Sequence, residues 1–95
     1  MFLGITIFEV IYINTIAQEM KKILTEQNRE SVWFGDIDLI EQCYNNLYSK
    51  SIHPYNKIQY VLNALDRSQL YEKSYIISDI SGYTRKYRCF KIKKS

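Results

Sequence analysis

Pro54-Tyr-Asn-Lys-Ile-Gln-Tyr-Val-Leu-Asn-Ala-Leu-Asp-Arg-Ser-Gln-Leu-Tyr-Glu-Lys-Ser74 is the phrase on which the fold turns. Ile58, Val61, Leu62 and Leu65 recur in it at steps of three and four, which lines four apolar side chains along one side of a helix. Pro54 suits the first helical residue, because a proline has no N–H to leave unsatisfied there. The expected helix is 54–66. Tyr55, Asn56, Lys57, Gln59, Tyr60 and Asn63 fall on its other faces or at the edge of the stripe. At the exit, Ser68-Gln69 precedes Leu70 with no glycine, so the helix either runs on or stops without a left-handed cap.

Upstream, Tyr48-Ser-Lys-Ser-Ile-His53 supplies turn-forming and polar residues around a single large aliphatic, Ile52. Before it a second helix is expected, capped by the Asp36 carboxylate and burying Ile37, Ile40, Tyr44 and Leu47. Val32-Trp33-Phe34, closed by Gly35, reads as a brief strand or extended connector, with Trp33 and Phe34 as core anchors. Over residues 9–27, Ile13, Ile16, Ala17, Met20, Ile23 and Leu24 alternate with charged and polar residues as in an amphipathic helix. Its start is open, since residues 5–13 are rich in β-branched side chains that also suit an extended segment. Downstream, Ser74-Tyr-Ile-Ile-Ser-Asp-Ile80 and Tyr83-Thr-Arg-Lys-Tyr-Arg-Cys-Phe-Lys-Ile92 flank Ser81-Gly82 as a β-hairpin. Its second run alternates, with Arg88, Phe90 and Ile92 on one side and Tyr87, Cys89 and Lys91 on the other.

A chain of 95 residues, 46% hydrophobic and 24% charged, with one proline and three glycines, is expected to form a single domain over 1–95. Cys43 and Cys89 lie far apart with no metal-ligand spacing, so both read as buried thiols, and no metal or cofactor is implied. The apolar opening Met1-Phe-Leu-Gly-Ile-Thr-Ile-Phe-Glu-Val-Ile-Tyr-Ile-Asn14 lacks a basic flank and a cleavage site, and Glu9 interrupts it. It is also shorter than the ~20 residues that span a bilayer. Core or interface is the expectation, with residues 1–12 as a dimerisation extension, because Phe2, Leu3, Ile5, Ile7, Phe8, Ile11 and Tyr12 exceed what one small core covers.

The net charge is only +3, but no acid follows Asp79, while Arg85, Lys86, Arg88, Lys91, Lys93 and Lys94 crowd the last stretch. That asymmetry favours a polyanionic partner; a solvated basic tail is the plainer explanation. His53 has no nucleophile or acid at a recognisable spacing, and a cap plus an exposed acid at a helix N-terminus accounts for Asp36 and Asp38, so catalysis is not expected.

The order helix, short strand, helix, turn, helix, basic hairpin over residues 32–92 and the helix before them resembles the winged helix-turn-helix family of DNA-binding proteins. The phrase from Ile58 to Ser74, followed by a hairpin at 75–92, carries the likeness. It departs from many relatives in lacking a glycine both in the turn and at the exit of the third helix. The resemblance implies an α+β, mainly helical fold with three helices and a C-terminal hairpin wing. It also implies double-stranded DNA as partner, no cofactor, and regulation by site occupancy in the cytoplasm.

In such a fold Tyr55, Asn56, Lys57, Gln59, Tyr60 and Asn63 would face base edges, where amide side chains suit adenine and basic ones guanine or phosphate. Arg85, Lys86 and Arg88 would meet phosphates, with Lys91, Lys93 and Lys94 behind them. The plainer readings are a solvated helix face and an edge strand charged against aggregation. A homodimer would set two such helices one DNA turn apart. The competing expectation is a protein-binding winged helix, an adaptor or a small inhibitor of a nucleic-acid-handling partner, which would tolerate Asp66, Glu72 and Asp79 near the surface. A third reading, a membrane-surface protein, is disfavoured because the basic cluster lies at the other end of the chain from the apolar one. The abundance of Ile, Asn, Lys and Tyr suits an AT-rich coding sequence, hence a viral, plasmid or small prokaryotic origin.

Overall fold

The structure is a computed structural model that describes residues 7–80 and 82–94, the side chain of Ile7 excepted. Three helices, α1 (Ile7–Glu26), α2 (Ile37–Leu47) and α3 (Pro54–Arg67), pack against an antiparallel sheet of β1 (Ser31–Trp33), β2 (Tyr71–Ser78) and β3 (Arg85–Ile92). The sheet order is β1-β3-β2, so the last strand lies between the other two. The α+β class with three helices and a C-terminal hairpin agrees with the sequence expectation.

The apolar stripe of α1 packs as expected, with Ile13, Ile16, Ala17, Met20, Ile23 and Leu24 all buried. The β-branched stretch from Ile7 onward is helical rather than extended, since packing against α3 outweighs a weak local preference. α1 ends in a Schellman motif: Asn28 takes the left-handed region at φ 56°, Arg29 N donates to Leu24 O at 2.8 Å and Asn28 N to Thr25 O at 3.1 Å. The Phe2, Leu3 and Ile5 assigned to a dimer extension lie outside the described residues.

Asp36 precedes α2 but does not cap it with its side chain. The carboxylate turns back, accepting from Trp33 N at 3.0 Å and from the Arg29 guanidinium at 2.8 Å, and so clamps the α1–β1 corner. The buried face of α2 is Leu39, Ile40, Cys43 and Tyr44; Ile37 is exposed and Leu47 only half-buried. The expected stripe is thus rotated toward the side that meets α1, where Cys43 Sγ donates to Ile16 O at 3.7 Å. Burial pushes the Cys43 thiol up to about 12, which keeps it an inert core group.

α3 runs one residue past the expected end and stops at Ser68 in extended backbone, without a left-handed cap. Ser68 Oγ accepts from Leu70 N at 3.1 Å across a turn at residues 69–70, and β2 starts at Tyr71 rather than Ser74. Tyr71 belongs to the core: its hydroxyl donates to Ala17 O at 2.8 Å. On the same sheet face Val32 and Phe90, directly paired, are buried against the helices. The core residue of the short strand is therefore Val32. Trp33 and Phe34 are half-buried, because the pleat turns Trp33 to the other face, where its ring meets Tyr87 at 6.0 Å and Phe34 meets Tyr87 at 5.2 Å. At the hairpin turn Gly82 holds φ 86° and donates to Asp79 O at 2.9 Å.

The Trp33 indole lies over Gly35 so closely that a Cβ there would overlap the ring. Gly35→Ala is expected to cost about 1–3 kcal/mol by displacing it from Tyr87. Denaturant unfolding followed by the fluorescence of Trp33, the single tryptophan, measures this. An unchanged midpoint would mean that the ring swings aside freely.

Candidate functional site

With Ile58, Val61, Leu62, Ala64 and Leu65 buried, α3 leaves Asn56, Gln59, Tyr60 and Asn63 on its outward side. The helix begins at Pro54 with His53 as N-cap, whose Nδ1 accepts from Tyr55 N at 3.1 Å. The single histidine is therefore a helix starter. Tyr55 stands exposed on the first turn beside it.

The hairpin reaches this helix through Arg88. Its guanidinium donates from Nη1 to Asn63 Oδ1 at 2.9 Å and from Nη2 to Gln59 Oε1 at 3.1 Å. A weaker second tie, Lys73 to Asp66 at 3.7 Å, joins β2 to the same helix. Strand register explains why Arg88 is available. Directly paired residues share a sheet face, and Arg88 lies two residues from the buried Phe90, so the face that packs on the helices continues outward as Arg88 and Lys86. Tyr75 stands opposite Arg88, and Ile77 opposite Lys86, on that same face. Lys86 Nζ lies 6.0 Å from the Tyr75 ring centroid, and the Arg85 guanidinium 6.0 Å from that of Tyr83.

The structure thus assembles Gln59, Asn63, Lys86 and Arg88 from the expected residues, with Asn56 on the same helix face; Arg85, at the hairpin end, has the parity of Cys89 and lies on the opposite sheet face. It sets others apart. Lys57 leans over α2, donating to Asn45 Oδ1 at 2.8 Å and lying 5.5 Å from the Tyr44 ring centroid. Tyr60 is partly taken up by a cluster of phenols, with Tyr12, Tyr48 and Tyr44 at ring distances of 4.5, 5.6 and 5.8 Å. Lys91, Lys93 and Lys94 do not trail the basic hairpin into the site. An extended strand advances about 3.3 Å per residue, so Lys91 stands about 20 Å from Arg85, opposite Ser31, and Lys94 pairs with Glu30 at 3.4 Å.

Sequence reasoning did not single out the exposed apolar residues of the hairpin: Tyr75, Ile77 (67% exposed), Ile80 and Tyr83 (70%). The alternation of Tyr75 and Ile77 was the available signal, but only the pairing with Arg88 and Lys86 shows which face they occupy. Among the described residues, no group of three or more His, Cys, Asp or Glu side chains is placed to hold a metal ion. Nor is any described helix long and apolar enough to cross a membrane.

Burial, and then the neighbouring Tyr60, push the Tyr12 and Tyr48 phenols from 10.0 up to about 12; nearby Arg67 opposes part of this at Tyr12. The folded chain therefore holds these protons more tightly than the unfolded one. Their contribution is complete below pH 10 and is lost as pH rises through about 12. Urea unfolding at stepped alkaline pH, with tyrosinate absorbance read in parallel, is expected to show stability falling across that window. Tyr48→Phe is expected to flatten the fall, and an equally steep fall in the variant would assign it elsewhere.

Compared with protein-family models, with curated proteins and with solved structures, the chain matches none, so its chemistry stands on its own side chains.

Proposed function

We propose that the chain is a winged helix-turn-helix protein that binds double-stranded DNA, with α3 in the major groove and the β2–β3 hairpin as a basic wing on the phosphates. The carrying observation is the double hydrogen bond from Arg88 to Gln59 and Asn63, which joins helix and hairpin into one surface of amides and cations. Element order and the β1-β3-β2 sheet support the fold reading. The acids that border α3 are paired, Asp66 with Lys73 and Glu9 with Arg67 at 2.7 Å, so they oppose a polyanion only weakly. Sequence-specific regulation of transcription is the function this surface suits best.

The test is fluorescence anisotropy with random duplex DNA across a salt series. Each phosphate contact contributes about 0.9 to the slope of log affinity against log salt. Arg85→Ala with Lys86→Ala is therefore expected to make the slope shallower by about 1 to 2. No binding at low salt would overturn the proposal.

A protein-binding winged helix is the second reading, favoured by the exposed Tyr75, Ile77, Ile80 and Tyr83, a kind of surface that apolar interfaces use. Such a partner would bind without DNA and would be lost on Ile77→Asp, while the two basic residues of the first test would matter little.

The proposal includes a homodimer through the first turns of α1, where Phe8 (79% exposed), Val10 and Ile11 have no covering element among the described residues. Two copies of α3 in a dimer would meet half-sites roughly 34 Å apart. Sedimentation equilibrium is expected to give a dimer that Ile11→Glu dissociates. A monomer at all concentrations would remove this part.

A further inference from the structure

Asn and Gln read adenine by using both ends of the amide: the oxygen accepts from the base N6 amino group while the nitrogen donates to N7. At this site the oxygen ends are engaged. Asn63 Oδ1 and Gln59 Oε1 each accept from the Arg88 guanidinium, at 2.9 and 3.1 Å. A charge-assisted bond of this kind is stronger than the neutral one an adenine amino group would offer. An adenine placed here would also bring its amino donor against a guanidinium that has only donors.

The same bookkeeping favours a different base. Each terminal nitrogen of Arg88 spends one N–H on an amide and carries a second, and the amide nitrogens add further donors. The cluster is a patch of donors around a cation, and its complement is a pair of acceptors. In the major groove that pair is O6 and N7 of guanine. A phosphate is the other acceptor-rich group on DNA, but Arg88 is bonded to two side chains of the outward face of α3. It travels with that face toward the groove floor, while the exposed Arg85 and Lys86 lie farther along the strand toward the hairpin turn.

Resting on the DNA-binding reading above, the geometry points to Arg88 as a reader of guanine, with Gln59 and Asn63 as the positioning residues that hold its fork. Two amides one helical turn apart hold the guanidinium from α3, while β3 fixes its backbone, so little side-chain freedom remains to be lost on binding.

The experiment is selection of binding sites from a random duplex library with the wild-type chain and with Arg88→Ala, each first checked for an intact thermal transition. One guanine position is expected to be enriched by the wild type and lost in the variant, while the other selected positions persist. Replacing that guanine by 7-deazaguanine in the selected duplex is expected to weaken wild-type binding about tenfold, a readout that needs no variant to fold. Asn63→Ala with Gln59→Ala is expected to reduce the preference at that one position more than the overall affinity. Enrichment of adenine at a position that depends on Asn63 overturns the inference and leaves DNA binding standing. So does binding without base preference, or an Arg88→Ala loss that is uniform over all sequences and therefore marks a phosphate contact. Failure of the wild type to bind any duplex at low salt overturns both.

Discussion

Phe90 occupies the middle strand of the sheet, opposite Val32 on one side and Lys73 on the other, with its ring wholly inside the core. That placement fixes the parity of β3, and parity decides which hairpin side chains face the helices. Because side chains alternate along a strand, a slip of one residue would bring Cys89 inward and carry Arg88 and Lys86 to the outer face. The slip is resisted because Phe90 would leave the core and the smaller Cys89 would take its place beside the buried Val32. The contact between hairpin and α3 is therefore a consequence of core packing several residues away.

The other half of the site depends on how α3 is held at its ends. His53 and Pro54 start it, and Ser68 stops it in extended backbone. The Ser68 hydroxyl then accepts from Leu70 N across a turn at residues 69–70, from which β2 and its partner β3 return alongside the helix. Along its length α3 is pinned from the opposite flank by phenols, Tyr12 donating to Tyr60 O at 2.7 Å while its ring stacks obliquely on that of Tyr60. The outward face between these phenols and the hairpin is narrow, and Asn56, Gln59 and Asn63 fill it.

Long periodic elements were legible in the sequence because they average over many residues. The stripes of α1 and α3 bury the side chains that their spacing assigns, and the alternation of β3 gives the correct faces for Arg88, Phe90 and Ile92. Short elements were less legible, because one neighbour outweighs the pattern. Val32-Trp33-Phe34 offers three apolar residues, and only its pairing with β3 selects Val32 for the core. Asp36 has the right type and place for a helix cap, yet Arg29, brought back by the left-handed turn at Asn28, outcompetes the backbone N–H groups for its carboxylate. In the site the residue types were readable but their bonds were not. The spacing of Gln59 and Asn63 places two amides on one helix face, and nothing in that spacing says that a guanidinium from the last strand will sit on their oxygens.

The apolar hairpin bears on which kind of partner this surface meets. β2 is an edge strand, and edges are usually protected by charge or by a covering element. Glu72 and Lys73 do this near the root, but from Tyr75 to Ile77 no charge interrupts the strand, and Tyr75 and Ile77 are largely exposed on the face shared with Lys86. An isolated molecule gains no burial energy from these exposed side chains, which makes the edge a candidate contact surface. Protein partners and DNA both accept apolar side chains, the first in an interface core and the second against sugar and base edges. They differ in what they need beside them. A protein interface core favours few charges, whereas here Lys86 and Arg85 lie 6.0 Å from the ring centroids of Tyr75 and Tyr83, and Ile77 stands opposite Lys86. Cations stacked on aromatic rings keep their charge accessible to a polyanion while the ring supplies contact area, a combination that suits a nucleic-acid surface better than a dry protein interface.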